Sequence, residues 1–437
     1  MFFWEWFEVN SKGHLEVEGC DLVELAKVYG TPLYVYNEEQ LRRNCREYVD
    51  TLNSCYPDGE VIYAGKSFLV QAMCRLLQEE DLSLDVVSGG ELYTAITAGF
   101  SMDRVYFHGN NKTLRELEMA IDNGVRRIVV DSLAELDLLN EIAANKNRKV
   151  DIMLRVKPGV SAHTHSYIQT GQADSKFGLG LEDGQAMQAV RRSVESEYIN
   201  LHGIHCHIGS QIFDVEEPYR LVIKKTVGFM LEARGATGLE MTELNLGGGL
   251  GIRHTAQDQP IAIKDFVGIL ADAVQEECAS CDYPLPKLMM EPGRSICGEP
   301  GLTLYTVGTI KKLPGIRTYI SVDGGMMDNL RPALYDASYE AVLANRGRES
   351  ADATVTVAGK VCESGDILIR DLEIPSPARG DILTVLTTGA YHFSMYSDYN
   401  RNPRPPVVFI RNGEAKEVVR GETYADIVGM DIIPADM

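Results

Sequence analysis

Short apolar, β-branched runs alternate with longer segments of helical periodicity along much of the chain. Eight such runs fall between residues 61 and 291: Val61–Lys66, Leu84–Val87, Val105–Gly109, Arg127–Asp131, Asp151–Lys157, Leu201–Gly209, Glu243–Gly248 and Lys287–Glu291. Apolar content this continuous predicts strands buried on both faces. The intervening segments predict helices with marked ends. Thr113 and Glu116 have capping-box spacing before a Leu114, Leu117, Ile121 stripe, and Gly124 stops it. Ser132 and Glu135 repeat the device before Leu136, Leu139 and Ile142. Strand–helix alternation requires parallel pairing through right-handed crossovers. Eight units predict an α/β fold built on a closed (β/α)8, TIM-like barrel, with an open doubly wound sheet as the alternative.

After about residue 303 the pattern changes. Leu302–Lys311, Thr318–Val322, Thr354–Lys360, Ile382–Thr387 and Pro406–Ile410 read as strands, and Pro375, Pro377, Pro403, Pro405 and Pro406 punctuate them. This predicts a second, mostly antiparallel β domain. Leu33–Tyr36 is also β-like and is a candidate strand for it. The expected division is 37–303 for the barrel, with 1–36 and 304–437 forming the β domain.

Composition narrows the function. Lys plus Arg number 42 against 63 Asp plus Glu, a formal charge of −21. That excess repels a phosphate backbone and an anionic membrane, so neither nucleic acid nor membrane is an expected partner. The aromatic opening MFFWEWFEV carries Glu5 and Glu8 and lacks the basic region of a signal peptide. Nine cysteines without framework spacing predict reduced thiols and a cytoplasmic location. Cys278 and Cys281 form one CxxC with no second pair, so no metal site is expected there.

In a barrel of this kind chemistry gathers at the C-terminal ends of the strands. The first run ends in Lys66, and alternation places Ile62, Ala64 and Lys66 on one face. A lysine after buried apolar residues suits Schiff-base formation with a carbonyl. The sixth run, LHGIHCHIGSQ, puts His205 and His207 on one face with no obvious acidic third ligand, which favours a flat imidazole over a metal site. The seventh, LNLGGGLGI, strips side chains at Gly247, Gly248 and Gly249, as a backbone nest for phosphate requires. The eighth places Glu291, the Pro292–Gly293 turn and Arg294 at one mouth. A lysine for an aldehyde, glycines for a phosphate, an imidazole for a ring and a carboxylate for a ring nitrogen together suit pyridoxal 5'-phosphate.

The chain resembles the barrel-type, fold III pyridoxal-phosphate enzymes, which include alanine racemase and the ornithine, arginine and diaminopimelate decarboxylases. It is most similar to the branch that acts on diaminopimelate. The likeness rests on YAGKSF, DVVSGGEL, HTHSYIQTGQADSKFG, HCHIGSQI, LNLGGGLGI, EPGRSICGEPG, DGGMMDNLRPALYDA, VCESGDIL and GAYHFSMYSDYNRNPRPP, in that order. It implies that Lys66 forms the aldimine, His207 stacks on the ring and Glu291 faces the ring nitrogen. Ser210, Gly247, Gly248, Gly249, Gly293 and Arg294 are implied around the phosphate and ring. Arg294, Arg331 and Tyr335 are implied to grip a distal substrate carboxylate, Glu363 a distal amine, and Tyr391 the cofactor or substrate. Cys362 is implied as proton donor, and with Glu363 it serves the partner's site in a homodimer with shared active sites. The implied reaction converts the amino acid meso-2,6-diaminoheptanedioate to L-lysine and CO2, the last step of lysine biosynthesis. His392, Tyr396 and Asp398 depart from the family pattern, which leaves open another carboxylate-bearing amino acid as substrate. A non-enzymatic cofactor-binding protein is a further alternative.

Overall fold

The computed structural model describes residues 5–160 and 175–437. Most of the HTHSYIQTGQADSKFG motif therefore lies outside the described residues. The chain divides into two compact units. One comprises Arg42–Ile252 and Gln259–Ile296; the other comprises residues up to Leu41, Arg253–Asp258 and Cys297–Met437.

The first unit is the barrel. Its strands are β1 (Gly59–Ala64), β2 (Ser83–Val86), β3 (Val105–Phe107), β4 (Arg127–Val130), β5 (Val150–Lys157), β6 (Ile199–His205), β7 (Glu243–Asn245) and β8 (Lys287–Met290). Each pairs in parallel with the next, and β8 closes onto β1 through Met290 opposite Val61. All eight runs seen in the sequence are present, each within a few residues of its expected limits. Inside the barrel, Ile62, Tyr106, Val129, Met153 and Met289 form one buried cluster, so the interior is packed rather than open. At the opposite end, Arg127 of β4 makes a bidentate pair with Glu243 of β7 at 2.9 and 2.7 Å.

The helix ends follow local chemistry. Thr113 and Glu116 close a reciprocal capping box, and Gly124 ends that helix at φ 70°. Ser132 accepts from Glu135 N as expected. The second half of that box differs: the Glu135 carboxylate instead takes Lys112 Nζ at 2.6 Å, because the buried ammonium needs a counter-charge.

The second unit is the mostly antiparallel β domain. Leu33–Asn37 pairs antiparallel with Gly301–Leu313 and parallel with Val407–Arg411, so the early segment supplies an interior strand. Gly301–Leu313 also pairs antiparallel with Arg317–Val322 and with Ile382–Val385. Ala353–Ala358 joins Arg317–Val322 in parallel and Ile367–Ile374 antiparallel. Two apolar cores hold this unit, one around Leu33, Leu302 and Val408 and the other around Tyr305, Ile320 and Val357.

Among the described residues no helix is long and apolar enough to cross a membrane. All nine cysteines are free, and the Cys281 thiol turns back on Cys278 O at 3.8 Å.

Candidate active site

Lys66 sits just beyond β1, in a tight turn over Gly65–Ser67 rather than on the strand face that alternation predicted. Two contacts mark the turn. A side chain at Gly65 would lie 2.7 Å from Asp85 O, and Ser67 Oγ donates back to Ala64 O at 2.7 Å. The Pro292–Gly293 turn packs against the same corner, where a Cβ on Gly293 would meet Ser67 Oγ at 2.9 Å. Asp85, Glu91 and His207 all lie within electrostatic reach of Lys66.

Asp85 is buried, Glu91 and His207 are half-buried, and all three are perturbed. Burial pushes Asp85 up to about 6, with Glu291 adding to the rise and His108 and Lys66 opposing it. Burial likewise raises Glu91 to about 7, although its carboxylate accepts from Val87 N at 2.8 Å. Burial, then the Lys66 charge, holds His207 well below the ordinary histidine range, so its ring is neutral. His207 lies against the glycine run: a Cβ on Gly247, at φ 68°, would stand 2.8 Å from its Nδ1.

The glycine run is shaped by close approach. A Cβ on Gly248 would fall 2.1 Å from Glu291 O, and one on Gly249 2.6 Å from Gly209 O. Gly247 N–H donates to Asn245 Oδ1 at 2.9 Å, so that donor serves the strand end rather than a phosphate nest. Tyr219 Oη donates to Gly248 O at 2.7 Å and fixes the run from behind. At the mouth of β8, Arg294 is buried and its guanidinium reaches Ser210 Oγ at 3.0 Å. The structure thus brings Lys66, His207, Ser210, Gly247–Gly249, Glu291, Gly293 and Arg294 to the C-terminal ends of one barrel.

Glu291 has partners that spacing in the sequence did not disclose. Asn245 Nδ2 donates to its Oε1 at 2.7 Å, His108 Nε2 lies 2.9 Å from Oε1, and His205 Nε2 lies 3.0 Å from Oε2. Burial opposes ionisation of Glu291, but the two histidines outweigh it and hold the carboxyl well below its usual range. Burial drives His205 down to about 4, so it is neutral. The acidic neighbour that the sequence did not show beside His205 is therefore Glu291. His108, His205 and Glu291 place three ligand atoms within 4.8 Å of one another, at hydrogen-bonding separations.

In the β unit, the Arg331 guanidinium is buried and lies over the rings of Tyr335 (5.1 Å) and Tyr391 (5.6 Å). Its Nε donates to Tyr339 Oη at 2.9 Å. Tyr339 meets His254 and His392 edge to face at 5.3 and 5.2 Å. His392, one of the departures from the family pattern, thus braces the tyrosine that holds Arg331. Tyr396 lies under Arg404 and Asp398 is exposed. Tyr391 is held at φ 63°, a backbone state uncommon for an aromatic residue.

Cys362 and Glu363 are both exposed on the loop between Ala353–Ala358 and Ile367–Ile374. Cys362 N donates to Asn400 Oδ1 at 2.9 Å. Asp366 pins this loop to the one that precedes Arg331 by accepting from Val361 N (3.0 Å) and Met326 N (2.7 Å).

The barrel donors fit pyridoxal 5'-phosphate by chemistry: a primary amine, a neutral imidazole, an ionised buried carboxylate and an Arg–Ser pair answer its aldehyde, ring, ring nitrogen and phosphate. Comparison with known proteins agrees. Residues 38–298 match the family described as pyridoxal-dependent decarboxylase, pyridoxal binding domain. The diaminopimelate decarboxylase of Bacillus subtilis (strain 168) is 49% identical, over 97% of this chain and 96% of that protein. That of Staphylococcus aureus (strain COL) is 45% identical, over 96% and 98%. The crystal structure of diaminopimelate decarboxylase from M. jannaschii in complex with L-lysine superposes with a TM-score of 0.91, at 36% identity and 99% coverage of each chain. By the extent and degree of this likeness, the chain belongs to the pyridoxal-dependent decarboxylases and, within them, to the diaminopimelate decarboxylase family.

Proposed function

We propose that the chain decarboxylates meso-2,6-diaminoheptanedioate to L-lysine and CO2, the last step of lysine biosynthesis, in the cytoplasm and as a homodimer. The cofactor supplies, when bound, an electron sink for the pair left on carbon as CO2 departs. Lys66 would hold it covalently, Arg294 with Ser210 and the glycine run would surround its phosphate, His207 would cover its ring, and Glu291 would accept the ring N–H. The Cα–carboxylate bond breaks and CO2 leaves. The thiol of Cys362 then gives its proton to that carbon, and the resulting thiolate regains one from solvent. Because Cys362 and Glu363 are exposed in this chain, both are assigned to the site of the partner subunit.

The observation that carries the substrate choice is Arg331, a buried guanidinium set between two tyrosine rings and braced by a third. Such a group suits a planar carboxylate and repels the terminal amine of ornithine or lysine. Glu363 adds a partner for the ammonium beside that carboxylate. The test is CO2 release from meso-diaminopimelate, ornithine, arginine and lysine with added pyridoxal phosphate. Turnover is expected on the first alone. Equal turnover on ornithine, or none on diaminopimelate, refutes the reading.

A further inference from the structure

The proposed reaction needs Glu291 charged, and the structure surrounds that carboxylate with groups to which no step has been assigned. We propose that His108 and Asn245 are positioning residues that, together with His205, clamp both oxygens of Glu291 and so keep it the ionised partner of the cofactor's ring nitrogen. The inference rests on the role given to Glu291 above.

Geometry carries the argument. The three groups come from the ends of three strands: His108 follows β3, His205 ends β6 and Asn245 ends β7. Asn245 hydrogen-bonds Oε1 at 2.7 Å and His205 hydrogen-bonds Oε2 at 3.0 Å, while His108 Nε2 stands 2.9 Å from Oε1 as a charge-pair contact. His108, His205, Asn245 and Glu291 are exposed by only 3, 1, 0 and 7%. A carboxylate so far from water takes up a proton unless hydrogen bonds hold its charge. A protonated Glu291 would donate to the ring nitrogen and leave the ring neutral. An ionised one accepts the ring N–H and keeps the ring cationic, as an electron sink requires.

The surroundings favour the same residue. Asp85 is a second buried carboxylate, 3.9 Å from His108 Nε2, and Glu291 raises its affinity for a proton. Of the two acids, the one with donors on both oxygens keeps the charge. His108 is itself held firmly. Its N–H donates to Val86 O at 2.8 Å, and its ring meets that of His205 edge to face at 4.6 Å. Beyond it, Lys112 Nζ donates to Gly109 O, Val129 O and Glu135 Oε1 at 2.8, 2.7 and 2.6 Å, pinning the loop that presents His108. Asn245 joins the clamp to the glycine run, since its Oδ1 accepts from Gly247 N.

The experiment compares wild type with His108→Leu, His108→Gln, Asn245→Asp, Glu291→Gln and the double variant His108→Leu/Glu291→Gln. The readouts are the visible absorption spectrum of bound pyridoxal phosphate, its affinity for the apoprotein by fluorescence titration, the thermal midpoint of the apoprotein, and kcat with KM on diaminopimelate. His108→Leu and the isosteric Asn245→Asp are expected to change the cofactor spectrum in the direction that Glu291→Gln does. Each should lower kcat at least about tenfold with KM within about threefold. His108→Gln, which keeps an N–H within reach, should recover kcat to within about threefold of wild type. The double variant should lose no more than Glu291→Gln alone. A wild-type spectrum in both His108→Leu and Asn245→Asp overturns the proposal. So do multiplicative losses in the double variant, or a fall in thermal midpoint that His108→Gln does not reverse. The spectral comparison needs no substrate. Absence of turnover by wild type on diaminopimelate would therefore refute the functional reading while the clamp is still tested.

Discussion

Replacing Tyr339 by Phe removes one hydroxyl and leaves the ring, its edge contacts with His254 and His392, and the fold around it in place. The lost bond is the one to Arg331 Nε at 2.9 Å. Arg331 is 6% exposed and Tyr339 4%, so water does not readily replace the missing acceptor. A hydrogen bond to a charged group contributes ~1.5–3 kcal/mol. At 1.36 kcal/mol per tenfold, that is roughly 10- to 150-fold in kcat/KM. If Arg331 holds the distal carboxylate, it does so equally before and during bond cleavage, so the loss should appear in KM and leave kcat nearly unchanged. Steady-state CO2 release against diaminopimelate concentration, with a thermal midpoint for each protein, measures it. A KM within twofold of wild type in a stably folded variant would refute the role given to Arg331. A loss confined to kcat would do the same.

Lys66→Ala should abolish both turnover and the visible absorption of the covalently held cofactor; a retained band would show that another amine carries it. Cys362→Ala should slow turnover at least about a hundredfold while cofactor affinity changes less than threefold, a split read by single-turnover kinetics and fluorescence titration. Stability should also depend on pH through the β unit. Burial holds Asp328 up to about 8 and Glu299 up to about 7, whereas the unfolded chain titrates them near 4. The folded state therefore binds more protons between those values, and stability falls as pH rises from about 4 to about 8. Asp328→Asn should shrink that fall in urea midpoints measured across the range, and an unchanged slope would count against it.

The barrel was legible because its strands are buried on both faces and read as unbroken apolar runs, while Thr113, Glu116 and Gly124 mark a helix by local chemistry alone. Strands such as Ile367–Ile374 and Glu414–Val419 escaped notice because Arg370, Asp371, Glu373, Glu414 and Glu417 point to water and break the apolar pattern. The site divided the same way. Lys66, His207 and Glu291 end recognisable runs. His108, Asn245 and Tyr339 matter through neighbours that only the closed structure supplies: Glu291 is far from His108 in sequence yet within hydrogen-bonding reach across the barrel. Lys66 lies off the expected face because alternation along a strand does not register where the strand gives way to a tight turn, here at Gly65–Ser67.

Leu33–Asn37 lies between Gly301–Leu313 and Val407–Arg411, so both neighbours of this strand follow it by more than 260 residues of chain. At about 5–20 residues per second, that strand waits on the order of tens of seconds with both edges bare. Through that wait the strand offers two unpaired edges to any other extended segment, and removing Val407–Arg411 would leave one of them open in the finished sheet.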